Sequence, residues 1–312
     1  MAIDILTKDF IETAERLVFA VVMPTLEQGK VLCFLRYVTE DHLWKKLSTE
    51  QANNFLKQHY PQYLYYSPVL DAQLHAVPLE YIAIHHQPKQ RLQQLLQSKH
   101  NDLIEDDAVQ LCDLLQANAV NMAQLGITGS LLIGAQHAES DIDLVCHQRQ
   151  VFHYCRQVIK SLIDQGRLQD LSQADWQEAY SRRDCALSFA EYVWHEQRKY
   201  NKAMINGRKF DLSFVGDVSS SNTQIYQKCG AITLQCKVKD DSRAFDYPAE
   251  FAVDAEEIST IVSFTATYTG QAQCNETIEV SGILEQNQHG LKRVVVGSSR
   301  EAHGEYIKVI HA

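Results

Sequence analysis

Two short stretches near the middle of the chain carry residue types that could do chemistry on phosphate groups. The first is Gly129-Ser130, which follows an apolar run, and the second is Asp141-Ile142-Asp143 in a β-like run. Glycine lets the backbone approach a ligand closely, and serine offers a hydroxyl; a helix starting there would add free N–H groups suited to an anion. Strand side chains alternate, so both carboxylates are expected on one face. Such a pair can hold Mg²⁺ together with phosphate oxygens.

A third carboxylate, Asp211, stands in a later run of the same character. Alternation along this run puts Phe210, Leu212 and Phe214 on one face and Asp211 on the other. Three carboxylates on neighbouring strands could hold two metal ions. The competing interpretation is a solvated strand edge, since Asp-x-Asp on an exposed strand and an isolated Gly-Ser step are common in scaffolds. The order and spacing of the three features favour the site.

This combination resembles the nucleotidyltransferase superfamily of the DNA polymerase β type, whose signature is Gly-Ser or Gly-Gly, a spacer and then Asp-x-Asp. The resemblance implies an α+β fold with a mixed sheet flanked by helices. It also implies Asp141, Asp143 and Asp211 as catalytic residues and ligands of Mg²⁺ or Mn²⁺, with two ions and an NTP as the donor substrate. Further segments, among them Glu196–Asn201, look like a group of long predicted nucleotidyltransferases found among archaea. In that group the catalytic domain lies between an N-terminal α/β region and a β-rich tail.

The chain departs from the superfamily at the position where many relatives carry a basic residue. Leu131-Leu132-Ile133 follows Gly-Ser here. Nucleotide binding is therefore predicted to depend on the Gly-Ser step and on basic residues elsewhere: Gly129, Ser130, His137, Arg198, Lys199 and Lys202. The last three belong to a basic interval that leads into Asp211. A solvated helix face is the competing interpretation of that interval.

Length and composition set the outer limits. A chain of 312 residues exceeds the usual size of a single core, which predicts two or three domains. The net charge of −10 excludes bulk electrostatic attraction to nucleic acid. The eight cysteines are scattered without a Cys-x-x-Cys pair, no apolar run could span a bilayer, and the first residues lack a signal-peptide layout. We therefore expect a cytoplasmic protein with reduced thiols and no membrane partner.

Changes of pattern predict three regions: an N-terminal α/β region over 1–100, a nucleotidyltransferase core over 101–217 and a β-rich domain over 218–312. A hairpin is expected before residue 38, with Pro24 and Gly29 in its connection. Capping residues and apolar periodicity predict the following helices: Ser48 to about His59, Lys89–Ser98, Ile104–Gln124, Gln150–Gln165, one that starts at Ser172, and Leu187–Met204. Six short β runs follow Gly230 and predict a small barrel or sandwich.

The resulting hypothesis is a metal-dependent transfer of an NMP from an NTP to an acceptor. The acceptor stays open among a small molecule, RNA and protein. Two alternatives also stay open: a nucleotide-binding regulator without turnover, and an RNA-binding or RNA-processing protein that uses the β-rich tail. From 217 to 312 the chain has eight Lys and Arg against thirteen Asp and Glu, a balance of −5. That charge favours a structural or homo-oligomerising role for the tail over nucleic-acid binding.

Overall fold

The structure is a computed structural model that describes residues 5–98, 102–183, 185–216, 225–299 and 302–311. It is a mixed α+β protein, and the described ranges contain three sheets and six α-helices. The chain divides into two compact units, here called unit 1 (Met1–Val158 with Ile205–Asn222) and unit 2 (Ile159–Met204 with Thr223–Ala312). The predicted boundary between 217 and 218 lies outside the described residues.

The N-terminal part of unit 1 is a seven-stranded antiparallel sheet in the order β5-β6-β3-β2-β1-β7, with β4 paired to β3. The strands are β1 Phe10–Thr13, β2 Val18–Glu27, β3 Lys30–Glu40, β4 Leu43–Lys46, β5 Leu64–Ser67, β6 Ala72–Pro78 and β7 Ile82–His86. The predicted hairpin is confirmed as β2–β3, but it turns at Gln28-Gly29 and Pro24 lies within β2. The β2–β3 register breaks between Val21 and Leu26, so the missing N–H of Pro24 costs no ladder hydrogen bond.

The two faces of this N-terminal sheet have different neighbours. One face forms a core with α1 (Thr49–His59), which begins with the predicted capping box at Ser48. A bulge in β3 turns Tyr37 to the other face, because Val18 pairs with Tyr37 while the next residue of β2 pairs with Leu35. On that other face Tyr37 packs with Leu132 of the Gly-Ser loop.

A second sheet in unit 1 places β11 (Arg208–Phe214), β9 (Ile142–Cys146) and β8 (Leu125–Thr128) side by side. β9 runs parallel to β11 and antiparallel to β8. β10 (Lys202–Ile205) leads into β11 through the turn at Asn206-Gly207.

The helices around this sheet begin as predicted, and one of them ends earlier. They are α2 Pro88–Gln97, α3 Leu103–Ala117 and α4 Arg149–Asp164. The division between the two units falls within α4. The prediction that α3 continues to Gln124 is wrong. Asn118 ends the helix, its side-chain amide donating to the Leu114 carbonyl, and Ala119 has a φ of 59° that no α-helix can accommodate.

Unit 2 contains α5 (Gln173–Ser181) and α6 (Phe189–Gln197), each starting at a serine capping box. The predicted helix Leu187–Met204 is wrong in its C-terminal half. Arg198 caps α6, Tyr200 has a φ of 50°, and Lys202 opens a strand. Arg198 and Lys202 therefore do not share a helix face, and their four-residue spacing carries no helical meaning.

The C-terminal strands of unit 2 close into a small barrel. They are β12 Tyr226–Asp240, β13 Ala249–Ala255, β14 Ile258–Ser263, β15 Thr277–Asn287, β16 Lys292–Val296 and β17 Tyr306–His311. Pairing runs β12-β13-β14-β16-β15 and returns from β15 to β12, with β17 added beside β15. All neighbours are antiparallel except β14 and β16. The sequence pattern fits both a small barrel and a sandwich, and the closed ring of strand pairings shows that this domain is a barrel. Among the helices of the described ranges, none is long and apolar enough to span a membrane.

Candidate active site

Asp143 and Asp211 lie side by side on neighbouring strands. β9 and β11 are parallel, and Asp211 is the direct pairing partner of Asp143. Phe210, Leu212 and Phe214 are buried on the opposite face of β11, as strand alternation predicted, while Asp211 is half-buried. Two acidic side chains directly abreast on one sheet face repel each other, and a bound cation or a proton would reduce that repulsion.

Asp141 adds a third negative charge to this face from an exposed position just before β9. Burial and the neighbouring charge of Asp211 raise the pKa of Asp143 to about 6. Asp141 adds to that rise, whereas the positive charges of Lys8 and Lys46 oppose it. The three carboxylates predicted from sequence thus act electrostatically on one another within unit 1.

The Gly-Ser loop packs against the Asp143 carboxylate. Thr128, the last residue of β8, pairs with Asp143, and Gly129 follows with a φ of 67°. A β-carbon at Gly129 would stand 2.1 Å from Asp143 Oδ2. The chain then forms a four-residue 3₁₀-helix, Gly129–Leu132, and the Ser130 carbonyl accepts from two later backbone N–H groups. The helical anion site considered for this step is therefore at most a single short turn.

We expect Gly129→Ala to destabilise the protein more than Gly134→Ala. Both glycines have nearly the same positive φ (67° and 68°), so both substitutions carry the left-handed cost of about 1–2 kcal/mol. Only the methyl group at 129 collides with Asp143, since nothing lies within 4 Å of a β-carbon at 134. The first variant should lose at least about 1 kcal/mol more unfolding free energy than the second, measured by urea denaturation. Equal losses would show that the Asp143 side chain can move away from the added methyl group without lowering the unfolding free energy.

Two arginines hold the loops that carry these residues. Arg91 of α2 donates from Nε to the Leu131 carbonyl at 2.9 Å and pairs with the buried Glu105 at 2.7 Å. Arg208 of β11 donates to the carbonyls of Ala138 and Ser140, both at 2.9 Å, and pairs with Asp107. The first contact fixes the loop after Gly129-Ser130. The second fixes the loop before Asp141.

The donor chemistry of the carboxylates fits a hard divalent cation, because all three side chains offer oxygen only. In the ranges that the structure describes, no three His, Cys, Asp or Glu side chains are gathered closely enough to form a ready metal cluster. Asp143 and Asp211, abreast and with Asp141 adjacent in charge, are the residues that would converge on an ion. The donor atoms of the predicted set therefore suit such an ion, and Asp143 and Asp211 share a face, but the three carboxylates are not gathered into a ready site in this structure.

Of the four other residues predicted to contact the nucleotide, three belong to unit 2 and one, His137, belongs to unit 1 with the carboxylates. Arg198, Lys199 and Lys202 belong to unit 2, where Arg198 pairs with Glu276 and both lysines pair with Glu196. His137 is exposed in unit 1, and its Nδ1 accepts from the Glu139 N–H. Contact of these four residues with a nucleotide stays a prediction.

Sequence reasoning missed the basic residues that lie electrostatically close to Asp143. Lys8 precedes β1, and Lys46 ends β4. They precede Asp143 by 135 and 97 residues, and only the packing of the N-terminal sheet on the Gly-Ser loop brings them near it. No local sequence signal distinguishes them from other surface lysines.

The comparisons with known proteins connect the chain to an archaeal relative. It is 32% identical, over 333 aligned positions, to the uncharacterized protein MJ1086 of Methanocaldococcus jannaschii, and the alignment covers 97% of this chain and 98% of the relative. The chain belongs to the family of that archaeal protein. No family model matches the chain, and no solved structure gives a significant match. The relative's name carries no activity, so function rests on the site.

Proposed function

We propose that this protein is a metal-dependent nucleotidyltransferase with a core of the polymerase β type. It would move an NMP from an NTP to an acceptor by in-line displacement at the α-phosphorus. The observation that carries the proposal is the pairing of Asp143 with Asp211 on parallel strands, with Gly129 packed directly on the Asp143 carboxylate. A purely structural sheet gains nothing from two acidic side chains abreast.

Each residue has a role in this proposal. Asp141, Asp143 and Asp211 would hold Mg²⁺ or Mn²⁺, which supplies positive charge to the phosphates during the displacement. The acceptor oxygen forms its bond to the α-phosphorus while the bond to the pyrophosphate oxygen breaks, and Asp211 takes the acceptor's proton. Gly129 and Ser130 would hold the phosphates through close backbone approach and a hydroxyl. Catalysis then comes from positioning and electrostatics.

The test is consumption of each of ATP, GTP, CTP and UTP by the purified protein with Mg²⁺ or Mn²⁺. Acceptors would be offered as three pools: tRNA, small hydroxyl-bearing metabolites, and protein. At least one α-labelled NTP should transfer its label to one pool and release pyrophosphate. Asp141→Asn with Asp143→Asn serves as the inactive control, since it keeps side-chain size and removes the charge.

The same assay separates transfer from binding alone. Metal-dependent NTP binding without any pyrophosphate release across the acceptor pools would favour the silent regulator over the enzyme. Absence of both binding and release would remove the nucleotide from the protein's function.

A further inference from the structure

We propose that the N-terminal sheet is part of the nucleotide site, and that Lys8 and Lys46 bind the triphosphate of the donor. The proposal rests on the proposed function and names the residues that supply positive charge to it. It also gives the N-terminal region a direct role in binding substrate.

Lys8 is held beside the carboxylates by its own backbone. Its carbonyl accepts from Thr128 Oγ1 at 2.7 Å, and its N–H donates to the Val21 carbonyl. Thr128 is the pairing partner of Asp143 and the residue before Gly129. Two positions after Lys8, Phe10 packs with Leu132 of the same loop. The backbone of Lys8 is therefore fixed one residue away from the predicted phosphate-binding step.

Lys46 reaches the same place from β4. It is the pairing partner of Tyr37, so the two side chains share one face of the sheet, and Trp44 lies two residues before it on that face. Tyr37 and Trp44 both pack in the cluster with Leu132. Burial and, to a smaller extent, the charge of Asp143 raise the pKa of Tyr37 to about 12, against the opposing charge of Arg36, so the Asp143 charge acts on this face.

Both ammonium groups are available for a ligand. Lys8 and Lys46 are exposed, and neither side chain forms a hydrogen bond or an ion pair with another described residue. The arginine and the two lysines that sequence reasoning favoured, Arg198, Lys199 and Lys202, are engaged with carboxylates. A triphosphate brings several negative charges to an already acidic face, and lysine is a common point-charge partner of phosphate. Lys8 and Lys46 can supply the positive charge that balances the triphosphate beside that face.

The neighbouring Lys45 is a matched control. It lies on the same strand as Lys46 but on the opposite face, opposite Val38, and pairs with Glu40 at 2.7 Å. Lys8→Gln, Lys46→Gln and Lys45→Gln remove one surface charge each and should fold like the parent. Circular dichroism and thermal unfolding check that they do.

The experiment is isothermal titration of these variants with Mg²⁺-NTP and, separately, with Mg²⁺-tripolyphosphate. Lys8→Gln and Lys46→Gln should each weaken binding of both ligands by roughly ten- to a hundredfold, and Lys45→Gln by less than about twofold. Higher salt should weaken the parent's binding more than that of the Lys8→Gln, Lys46→Gln double variant.

The outcomes separate the two proposals. Parent-like affinity of the Lys8→Gln and Lys46→Gln variants would refute the lysine assignment and leave the nucleotidyltransferase proposal standing. Lysine-dependent binding of both ligands without NMP transfer would support the lysine assignment and refute the enzyme. A parent that binds neither ligand would overturn both.

Discussion

Asp143→Asn should make the metal-free protein more stable and at the same time inactive. At neutral pH the Asp143 charge is costly to the folded state, because burial and the adjacent Asp211 raise the pKa of this carboxyl to about 6. Removing that charge in the presence of a chelator should raise the unfolding free energy by about 1–2 kcal/mol in urea titrations. NMP transfer with Mg²⁺ should fall by at least about a thousandfold, since an amide is a poor ligand for the ion.

Asp107→Asn provides the contrast. Asp107 is also a largely buried carboxylate of unit 1, but it accepts from Arg208 and from the Asn206 amide. Neutralising it should lower stability by about 1–3 kcal/mol, because it leaves a partly buried guanidinium without its counter-charge. If the unfolding free energy rises in Asp143→Asn and falls in Asp107→Asn, Asp143 is a residue kept for function at a cost in stability. A loss of stability in Asp143→Asn would instead make this residue part of the scaffold.

Local patterns predicted the elements that carry this site, and for a physical reason. Alternation of apolar residues in β9 and β11 depends on the pleat alone, so the faces of Asp143 and Asp211 could be read from a few residues each. The capping boxes at Ser48 and Ser172 are equally local, and both helices start there. What alternation could not reveal is the register that sets Asp143 beside Asp211.

Errors occurred where a distant contact or a single backbone angle decides the outcome. Helices predicted through Ala119 and Tyr200 end before these residues, which adopt positive φ although neither is glycine or asparagine. The basic residues beside Asp143 come from a separate sheet, whose packing on the Gly-Ser loop is a tertiary event. Arg198 and Lys199 likewise have partners that are remote in sequence, the Glu276 carboxylate and the Thr267 backbone carbonyl.

Glu196→Gln should be among the most destabilising single substitutions in unit 2. Glu196 and Lys199 are 4% and 2% exposed, and Glu196 pairs with both Lys199 and Lys202. Burial alone would raise the pKa of Glu196, but the two lysines lower it to about 2. Without this charge Lys199 still donates to the Thr267 carbonyl at 2.9 Å, but that neutral group does not replace the lost carboxylate as a counter-charge. A buried charge that loses its counter-ion costs about 3–5 kcal/mol.

Urea unfolding followed by tryptophan fluorescence can measure this, because Trp176 and Trp194 both lie in unit 2. The control is Glu178→Gln, which breaks an exposed pair with Arg182 at 3.6 Å and should cost at most about 0.5 kcal/mol.

Burial already lowers the pKa of Lys199 to about 8 with Glu196 present. The variant should lower it further, so that the folded state sheds this proton at lower pH than the unfolded state does. Its stability should then rise between pH 7 and about 9 more steeply than the parent's.

The nucleotide affinity of the Glu196→Gln variant shows whether Arg198, Lys199 and Lys202 bind the nucleotide or stabilise the fold. If Arg198, Lys199 and Lys202 serve the scaffold through their carboxylates, Glu196→Gln should leave Mg²⁺-NTP affinity within about twofold of the parent under conditions where both are folded. If these residues hold the triphosphate, removing the acid that competes for Lys199 and Lys202 should tighten binding by roughly tenfold. The pairs seen within unit 2 favour the first result, because Glu196 already pairs with two of the three cations and Glu276 with the third.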